Sequence, residues 1–453
     1  MKNTTKVILF TLILSGCNSP EEIPESEQPI EPMSEAEQIN HWIYDEMNYY
    51  YFWREDLPDS SSCDFTTTPK QFYESLLSPK DRFSYFSQSS SRSGDTQDLG
   101  FAYQQYRDNV GNSYYEVLYI TSHQARISGL RRGDLVRIDY ADANQVSLTA
   151  GVWRNSHFYE RTKIQYQLEL SRAAINETVQ LDSVYHIDGK KIGYLCYLEF
   201  GASADFALSF NKFEENNIDE LIIDLRYNHG GLLNTCRRLC NLIVHESAYG
   251  HMFQQLSYND VLSKKYLEET GDERTYTFYE EPETQLGTTL GPKWSYLNMT
   301  RVFVLTSNNS ASASEATINS LSPYIDVIKI GETTVGKGVG MFTITSPKYR
   351  YALVPITFRY YNSLGVTVPD EGLEPDYYVP DGYSTSKKDL GDVAEPLLAK
   401  ALEVIFSTVT DESEDNSTST NDAPEGLEAV GEPSFVTEFQ SRFRGDGVET
   451  MRE

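Results

Sequence analysis

Two spacings of hydrophobic residues divide the chain into a helical, a β-rich and a mixed part. Between residues 36 and 90 apolar residues recur at helical spacing, and a Thr-Pro pair opens the second predicted helix. From 98 to 180, short runs of β-forming residues separated by turns predict strands. From 185 to 406 apolar strands alternate with amphipathic helices, which predicts a layered α/β core. The predicted fold class is therefore multidomain α/β.

The two ends of the chain follow neither spacing. Residues 1–17 combine early lysines with an apolar run too short to span a membrane, and "LSGC" resembles the lipobox of bacterial lipoproteins, with Cys17 as the lipidated residue. A plain secretory signal is the alternative. Residues 18–35 predict an acidic tether, and residues 407–453 an acidic disordered tail. We expect a lipid-anchored protein of a Gram-negative-type cell envelope, on the periplasmic or surface face of the outer membrane.

Charge narrows the choice of partners. The chain carries 67 acidic and 38 basic residues, a net charge of -29, and shows no basic cluster. A nucleic-acid partner is excluded because phosphate binding needs a basic surface. Cys236 and Cys240 lie on one predicted helix face, but nothing at a useful spacing completes a zinc site. We expect these thiols to be buried apolar side chains, and we expect neither a metal nor an organic cofactor.

The stretch "SNNSASASEATINSL", residues 307–321, follows a predicted buried strand and opens a helix. Ser312 and Glu315 fit a capping box, so Ser312 has a purely structural explanation. The same hydroxyl would also lie among free N–H groups at a helix N-terminus, where an oxyanion is stabilised. Its general base would be Lys337, in "GKG", whose pKa desolvation would lower; an exposed turn is the alternative reading. Among the histidines, only His229 has a suggestive context.

Three ordered motifs together resemble the core of the S41 peptidases, the carboxy-terminal-processing and tricorn-like proteases. They are "DLRYNHGG" (224–231), the serine stretch and "GETTVGKG" (331–338). The resemblance implies a catalytic core of the ClpP/crotonase type over 185–406, and a Ser–Lys dyad.

The resemblance also assigns roles. Ser312 would attack the scissile carbonyl, Lys337 would act as base, and the N–H groups of Gly231 and Ala313 would form the oxyanion hole. Many bacterial members carry a glutamine four residues after the lysine, where it supports the dyad. In this chain that position is Met341, so another group must orient Lys337.

The β-rich part resembles a PDZ domain. "SGLRRGDLVRID" (128–139) fits the Gly-Leu-x-x-Gly-Asp turn, and "DLGFAY" (98–103) lies where a carboxylate-binding loop would be. The resemblance implies that Leu99, Gly100 and Phe101 receive a peptide C-terminus by strand addition. A β-module that only gates the active site is the alternative.

The sequence thus predicts a serine endopeptidase that cleaves polypeptides with an accessible apolar C-terminus. One alternative is a non-catalytic, PDZ-type peptide-binding lipoprotein. Another is an envelope scaffold or glycan-handling lipoprotein that uses the Tyr-rich, poorly patterned insertion at 247–297.

Overall fold

A computed structural model describes most of the chain. The described residues are 33–88, 99–142, 144–168, 178–203, 205–272, 274–279, 296–384, 386–407 and 423–435. The predicted signal segment with Cys17, most of the tether and most of the acidic tail lie outside these ranges. Within the described ranges no helix is long and apolar enough to cross a membrane.

Helices and strands follow the expected order along the described chain. The helices are α1 (Glu35–Tyr50), α2 (Pro69–Ser75), α3 (His123–Ile127), α4 (Phe206–Asn216), α5 (Leu233–Ile243), α6 (Asp260–Thr270), α7 (Ala313–Leu321) and α8 (Pro396–Phe406). The strands are β1 (Tyr85–Gln88), β2 (Phe101–Asp108), β3 (Ser113–Ile120), β4 (Leu135–Ala141), β5 (Gln145–Arg154), β6 (His157–Gln167), β7 (Val179–Ile187), β8 (Lys190–Tyr197), β9 (Glu220–Asp224), β10 (Met252–Tyr258), β11 (Thr275–Thr277), β12 (Arg301–Thr306), β13 (Asp326–Gly331), β14 (Val339–Met341), β15 (Ile344–Thr345), β16 (Tyr351–Val354), β17 (Ile356–Tyr361), β18 (Tyr377–Tyr378) and β19 (Leu427–Ala429).

The N-terminal region contains two helices, as the helical spacing predicts. Ser34 and Glu37 cap α1 reciprocally, since each side chain accepts a hydrogen bond from the other residue's backbone N–H. The apolar faces of α1 and α2 share a core with the three-stranded sheet β1-β16-β15. This contact brings the end of the N-terminal region, residues 81–86, against the part of the chain that contains Lys337.

The β-rich part is a six-stranded antiparallel sheet in the order β19-β2-β3-β4-β5-β6, with α3 packed on it. Its outermost strand, β19, comes from the far end of the chain. Residues 423–435, expected in a disordered tail, therefore have a defined place: Leu427–Ala429 pairs with β2, and Phe435 is buried against Tyr119 and Tyr227. The low hydrophobicity of the tail hid this short segment, because its apolar residues find partners only on distant strands.

The central sheet has six strands in the order β18-β13-β12-β9-β8-β7, and all of its neighbouring pairs except β7–β8 are parallel. Successive strand residues point to opposite faces, so Ile223 packs towards α4, α5 and α7, while Ile222 packs towards α8. The layered α/β core is present as predicted.

A second, four-stranded sheet, β11-β10-β17-β14, lies beside the core. β10, α6 and β11 come from the poorly patterned insertion, where the sequence predicted no elements. Buried Phe253, Tyr258 and Tyr266 join them to the core.

Candidate active site

Ser312 lies at a strained turn between β12 and α7. Its φ of 55° and ψ of -113° are unusual for a residue with a side chain, and such strain persists only where surrounding contacts enforce it. The flanking serines supply those contacts: the buried hydroxyls of Ser310 and Ser314 donate to the carbonyls of Leu225 and Asn228 at 2.8 Å and 2.9 Å. Of the three alternating serines, Ser312 is the one that faces a large cavity.

Glu315 joins the turn of Ser312 to the loop of Lys337. Its buried carboxylate accepts hydrogen bonds from the backbone N–H groups of Ser312 (2.9 Å), Gly336 (2.7 Å) and Lys337 (2.8 Å). The hydroxyl of Thr334 donates a fourth, at 2.5 Å. Burial raises the pKa of Glu315, and these hydrogen bonds oppose the rise. The capping carboxylate predicted from sequence therefore also holds the candidate base.

Tyr360 makes a second bridge, which the sequence gave no reason to expect. Its fully buried hydroxyl lies 3.2 Å from the carbonyl oxygen of Ser312 and 3.1 Å from that of Lys337. Glu315 thus binds the N–H groups of these two residues, and Tyr360 their carbonyl groups. Together the two side chains fix the separation of the backbones that carry the candidate nucleophile and base.

Lys337 is almost fully buried in the wall of the same cavity. Burial lowers its pKa from the ordinary 10.5 to about 8, although the carboxylates of Glu315 and Asp81 act in the opposite direction. Its ammonium lies 5.3 Å from the centre of the Phe83 ring, so the N-terminal region helps to exclude water. No hydrogen bond joins the Ser312 hydroxyl to the Lys337 ammonium in this structure. The exposed-turn reading of "GKG" is wrong, because the side chain is buried.

The glycine pair at 230–231 lies directly beside Ser312. A Cβ on Gly230 would be 2.7 Å from the Ser312 Cβ, and Gly231 has a φ of 137°. Only glycine allows this approach and this backbone angle. Within the described part of the chain, neither the Gly231 N–H nor the Ala313 N–H donates to another residue, so both predicted oxyanion donors are available.

Buried polar contacts of Arg226 and Asn228 hold the loop that carries these glycines. Arg226 is fully buried between Asp224 and Glu395, at 2.8 Å and 2.6 Å. The Asn228 side chain accepts from the Gly230 N–H and donates to the Tyr197 carbonyl. Through these contacts Arg226 and Asn228 shape the loop that carries the glycine pair.

His229 also lines the cavity, and Asn309 holds its ring through a contact of 3.1 Å between Nδ1 and the carbonyl oxygen. Burial, followed by the charge of Lys337, lowers the pKa of His229 to about 4, which leaves the ring neutral at neutral pH. The structure brings this histidine and Lys337 close to each other.

The cavity has a volume of about 740 Å³ and an apolar wall. β10, β14 and β17 supply much of that wall, and Met341, at the position of the family glutamine, lies in it. The apolar and aromatic lining residues are Phe83, Tyr85, Ala202, Leu232, Leu233, Phe253, Leu256, Tyr258, Tyr276, Val339, Met341, Phe342, Val354 and Phe358.

The predicted peptide-binding residues lie at the start of β2, away from this cavity. Leu99 and Phe101 are buried in the core of the β-rich part, and Gly100 has a φ of 79°. At the β2 edge, where a peptide would add a strand, β19 pairs with the far end of β2, residues 106–108. The C-terminal segment runs antiparallel to β2, so the residues after β19 continue along β2 towards Gly100. Along this path the Ser434 hydroxyl accepts a hydrogen bond from the Tyr103 N–H at 2.9 Å.

The cysteines of the described residues are unpaired, and Cys196, Cys236 and Cys240 are buried. The Cys236 thiol lies 3.2 Å from the Thr317 hydroxyl, inside the core. In the described ranges no cluster of histidine, cysteine and acidic side chains could hold a metal ion.

A half-buried serine at a helix N-terminus, beside a desolvated lysine and free N–H groups, is the arrangement of a serine-type hydrolase. Comparison with protein families gives the more specific assignment. The model of "Peptidase family S41" matches residues 191–379, and that of "Peptidase S41 N-terminal domain" matches residues 38–85. Together they account for more than half of the chain, which belongs to peptidase family S41, a family of serine peptidases.

Individual relatives agree with this assignment. The carboxy-terminal processing protease CtpB of Bacillus subtilis (strain 168) is 26% identical over 241 residues, which cover 52% of this chain and 44% of the relative. The chloroplastic carboxyl-terminal-processing peptidase 1 of Arabidopsis thaliana is 22% identical over 321 residues, covering 67% and 59%. The chain thus spans about half the length of these curated relatives.

A solved structure matches over a larger part of the chain. A protein from Bacteroides fragilis NCTC 9343, described as an S41 protease, superimposes with a TM-score of 0.68 at 25% identity. The match covers 80% of this chain and 96% of that one.

Proposed function

We propose that the protein is a serine endopeptidase in which Ser312 is the nucleophile and Lys337 the general base. The observation that carries the proposal is that Ser312 and Lys337 line the same cavity and that the same two side chains hold both of their backbones. Glu315 and Tyr360 tie their backbones together, while burial holds the Lys337 pKa near 8. Burying a lysine without a carboxylate partner costs free energy because the ammonium loses its hydration. A purely structural role does not explain that cost, whereas a role as general base does.

The reaction would proceed through an acyl-enzyme. Neutral Lys337 takes the proton of the Ser312 hydroxyl as its oxygen attacks the scissile carbonyl. The N–H groups of Gly231 and Ala313 bind the resulting oxyanion. The Lys337 ammonium then gives its proton to the leaving amine, and water, activated in the same way, releases the acyl group. Substrate binding must bring the Ser312 hydroxyl and the Lys337 amine into hydrogen-bond distance, which apo sites often lack.

The proposed substrates are polypeptides with an accessible apolar C-terminus. The largely aromatic and aliphatic wall of the cavity fits apolar side chains next to the scissile bond. The β2 edge beside Leu99, Gly100 and Phe101 would receive the C-terminus once the C-terminal segment 427–435 has left β2. In this arrangement the β-rich part selects the substrate, and the core cleaves it.

We further propose that Cys17 is lipidated and anchors the enzyme in the cell envelope. The support is the sequence before it, in which an apolar run and "LSGC" precede an acidic tether. Growth with a radiolabelled or alkyne-tagged fatty acid would test this, because Cys17→Ser should lose the label while the Cys63→Ser control keeps it.

The proposed chemistry is tested with the soluble form that begins after Cys17. Loosely folded proteins with apolar C-termini are incubated with the parent, Ser312→Ala and Lys337→Ala, and products are mapped by mass spectrometry. Ser322→Ala and Lys348→Ala serve as matched controls, since they alter an exposed serine just after α7 and an exposed lysine. We expect both dyad variants to lose cleavage and both controls to keep it.

The rival is a peptide-binding lipoprotein that retains the fold without the chemistry. Two observations favour it: Met341 replaces the family glutamine, and no hydrogen bond joins Ser312 to Lys337. It predicts that the parent and Ser312→Ala bind the same peptides equally and that neither cleaves them.

A further inference from the structure

The catalytic cavity is cationic in an otherwise acidic protein. The chain has a net charge of -29, yet no described residue that lines the cavity is Asp or Glu. The wall instead contains Lys337 and three arginines, Arg82, Arg237 and Arg238. Because the cavity is partly closed and of low polarity, these charges act on its contents with little screening.

Two arginines of the cavity, Arg237 and Arg238, differ from the fully buried arginines of the described chain. Arg226 and Arg132 are each held by carboxylates at 2.6 Å. By contrast, Arg237 and Arg238 make no ion pair with any described residue, and the buried Nε of each lacks a hydrogen-bond acceptor. Both arginines are half-buried, and a partly desolvated guanidinium without a carboxylate carries a cost that a ligand anion would offset.

Arg237 is held in place by stacking. Its guanidinium lies 3.8 Å from the centre of the Tyr279 ring and 6.0 Å from that of Tyr276. Stacking on a ring face orients the planar group and leaves its edge, with the N–H donors, for a planar acceptor. A carboxylate matches that edge in a bidentate geometry.

Arg237 lies close enough to Ser312 for one bound peptide to contact both residues. α5 begins two residues after Gly231, and Arg237 follows one helical turn later, about 6 Å along the helix axis. The cavity that contains Ser312 and Arg237 has a volume of about 740 Å³. A cube of that volume has an edge of about 9 Å, the length of about three residues of extended peptide. A group bound by Arg237 would therefore lie within a few residues of the bond that Ser312 attacks.

We propose that Arg237 and Arg238 form a carboxylate-binding subsite of the catalytic cavity. The subsite selects polypeptides that carry a carboxylate near the scissile bond, either an acidic side chain or the free C-terminal carboxylate. This inference rests on the proposed function. It differs from recognition at the β2 edge, because the selection takes place inside the cavity where cleavage occurs.

The test uses one apolar peptide in four forms: Gln or Glu beside the cleavage site, each with a C-terminal amide or a free acid. With the parent, we expect kcat/KM to be at least tenfold higher for a carboxylate form than for the neutral Gln-amide form. A preference for Glu-amide identifies the side chain as the ligand, and a preference for Gln-acid identifies the C-terminal carboxylate. Equal kcat/KM for all four forms would overturn the proposal.

The variants Arg237→Gln and Arg238→Gln locate the source of the preference. Each should reduce the ratio of kcat/KM between the carboxylate and neutral forms several-fold, and Arg237→Lys should retain part of it. The control Arg137→Gln, in the half-exposed surface ion pair with Glu160, should leave the ratio unchanged. A ratio that survives in the double variant Arg237→Gln/Arg238→Gln, with the melting temperature preserved, would place recognition elsewhere and overturn the proposal.

A binding experiment separates this inference from the peptidase proposal. Ser312→Ala protein is titrated with the four fluorescently labelled peptides, and anisotropy gives each Kd. Tighter binding of a carboxylate form that depends on Arg237 supports the subsite even if the parent cleaves nothing. Cleavage of all forms without a preference, or equal Kd values in this titration, rejects the subsite and leaves the peptidase proposal in place.

Discussion

Individual residues of the candidate site are defined by what they lack as much as by what they bind. Lys337 is buried and its ammonium forms no ion pair with a carboxylate of the described residues, while Ser312 adopts a backbone angle that costs free energy. Each is held by contacts to its backbone rather than to its side chain. The side chains thereby remain available for chemistry, while their positions are set by Glu315 and Tyr360.

The pKa of Lys337 predicts the pH dependence of cleavage. Only the neutral amine can take the serine proton, so kcat/KM should rise about tenfold per pH unit below a midpoint near 8 and level off above it. Asp81→Asn removes a carboxylate that favours the ammonium, so the midpoint should move to lower pH. A pH–rate profile of the parent and this variant is the measurement. A flat profile between about pH 6 and pH 9 would contradict Lys337 as the base.

Tyr360→Phe should affect rate more than stability. The variant loses one buried hydroxyl, which costs about 1 kcal/mol of folding free energy. Because that hydroxyl joins the backbones of Ser312 and Lys337, kcat should fall about tenfold or more, while KM changes little. Tyr106→Phe is the matched control, since its hydroxyl binds Glu116 in the β-rich part. An equal loss of kcat in both variants would show that Tyr360 has no special role.

At the scale of elements, the unexpected feature is the position of β19 on β2. A free β2 edge would expose unpaired N–H and C=O groups, and the C-terminal segment covers them. The same segment buries Phe435 beside Tyr227, which directly precedes the loop of Asn228 and the glycine pair. The C-terminal segment therefore contacts the start of the loop that carries the glycine pair through Phe435.

Removal of residues 423–453 should open this edge. We expect the truncated protein to bind peptides with apolar C-termini more tightly, because strand addition no longer competes with β19. Phe435→Ala is a narrower change that should cost about 1.5–3 kcal/mol of the local packing energy and give part of the effect. Fluorescence anisotropy in a Ser312→Ala background measures the affinity. Unchanged affinity after truncation would mean that peptides do not dock at β2.

At the scale of the whole molecule, the β-rich part is joined to the core by a buried charge cluster. Arg132 reaches from the turn before β4 to Asp381, at 2.6 Å, and to the Tyr227 hydroxyl, at 2.9 Å. Lys387 completes the junction between Glu116 and Asp381. These cations hold the pKa of Asp381 far below its usual range despite its burial.

Arg132→Ala should destabilise the protein by about 3–5 kcal/mol, because the substitution leaves Asp381 buried without its nearest cation. The exposed pair of Arg137 and Glu160 is the control, and Arg137→Ala should cost less than about 1 kcal/mol. Urea unfolding followed by fluorescence gives both values. Similar losses of unfolding free energy in the two variants would show that the buried charge cluster does not stabilise the junction between the β-rich part and the core.

Family resemblance located Ser312 and Lys337, but the groups that hold them were only partly visible in the sequence. Glu315 was recognised as a helix cap, and its second set of hydrogen bonds, to Gly336 and Lys337, was not. Tyr360 and the stacked Arg237 carry no motif, because each meets its partner through a contact between distant segments. The same reason hid Phe435 and the strand that precedes it.

The sequence by itself determined the elements outside the insertion and the C-terminal tail, and it pointed to the residues of the candidate chemistry. Periodic apolar residues specify strands and helices, and the serine stretch, the glycine pair and the buried lysine depend on local backbone requirements that short motifs record. Tertiary structure alone decided how these parts meet: the bridges of Glu315 and Tyr360 across the site, the C-terminal strand on β2, and the cationic cavity in an acidic chain. Such contacts join residues far apart in the chain, so their partners are fixed by the packing of whole sheets and leave no periodic signal in the sequence.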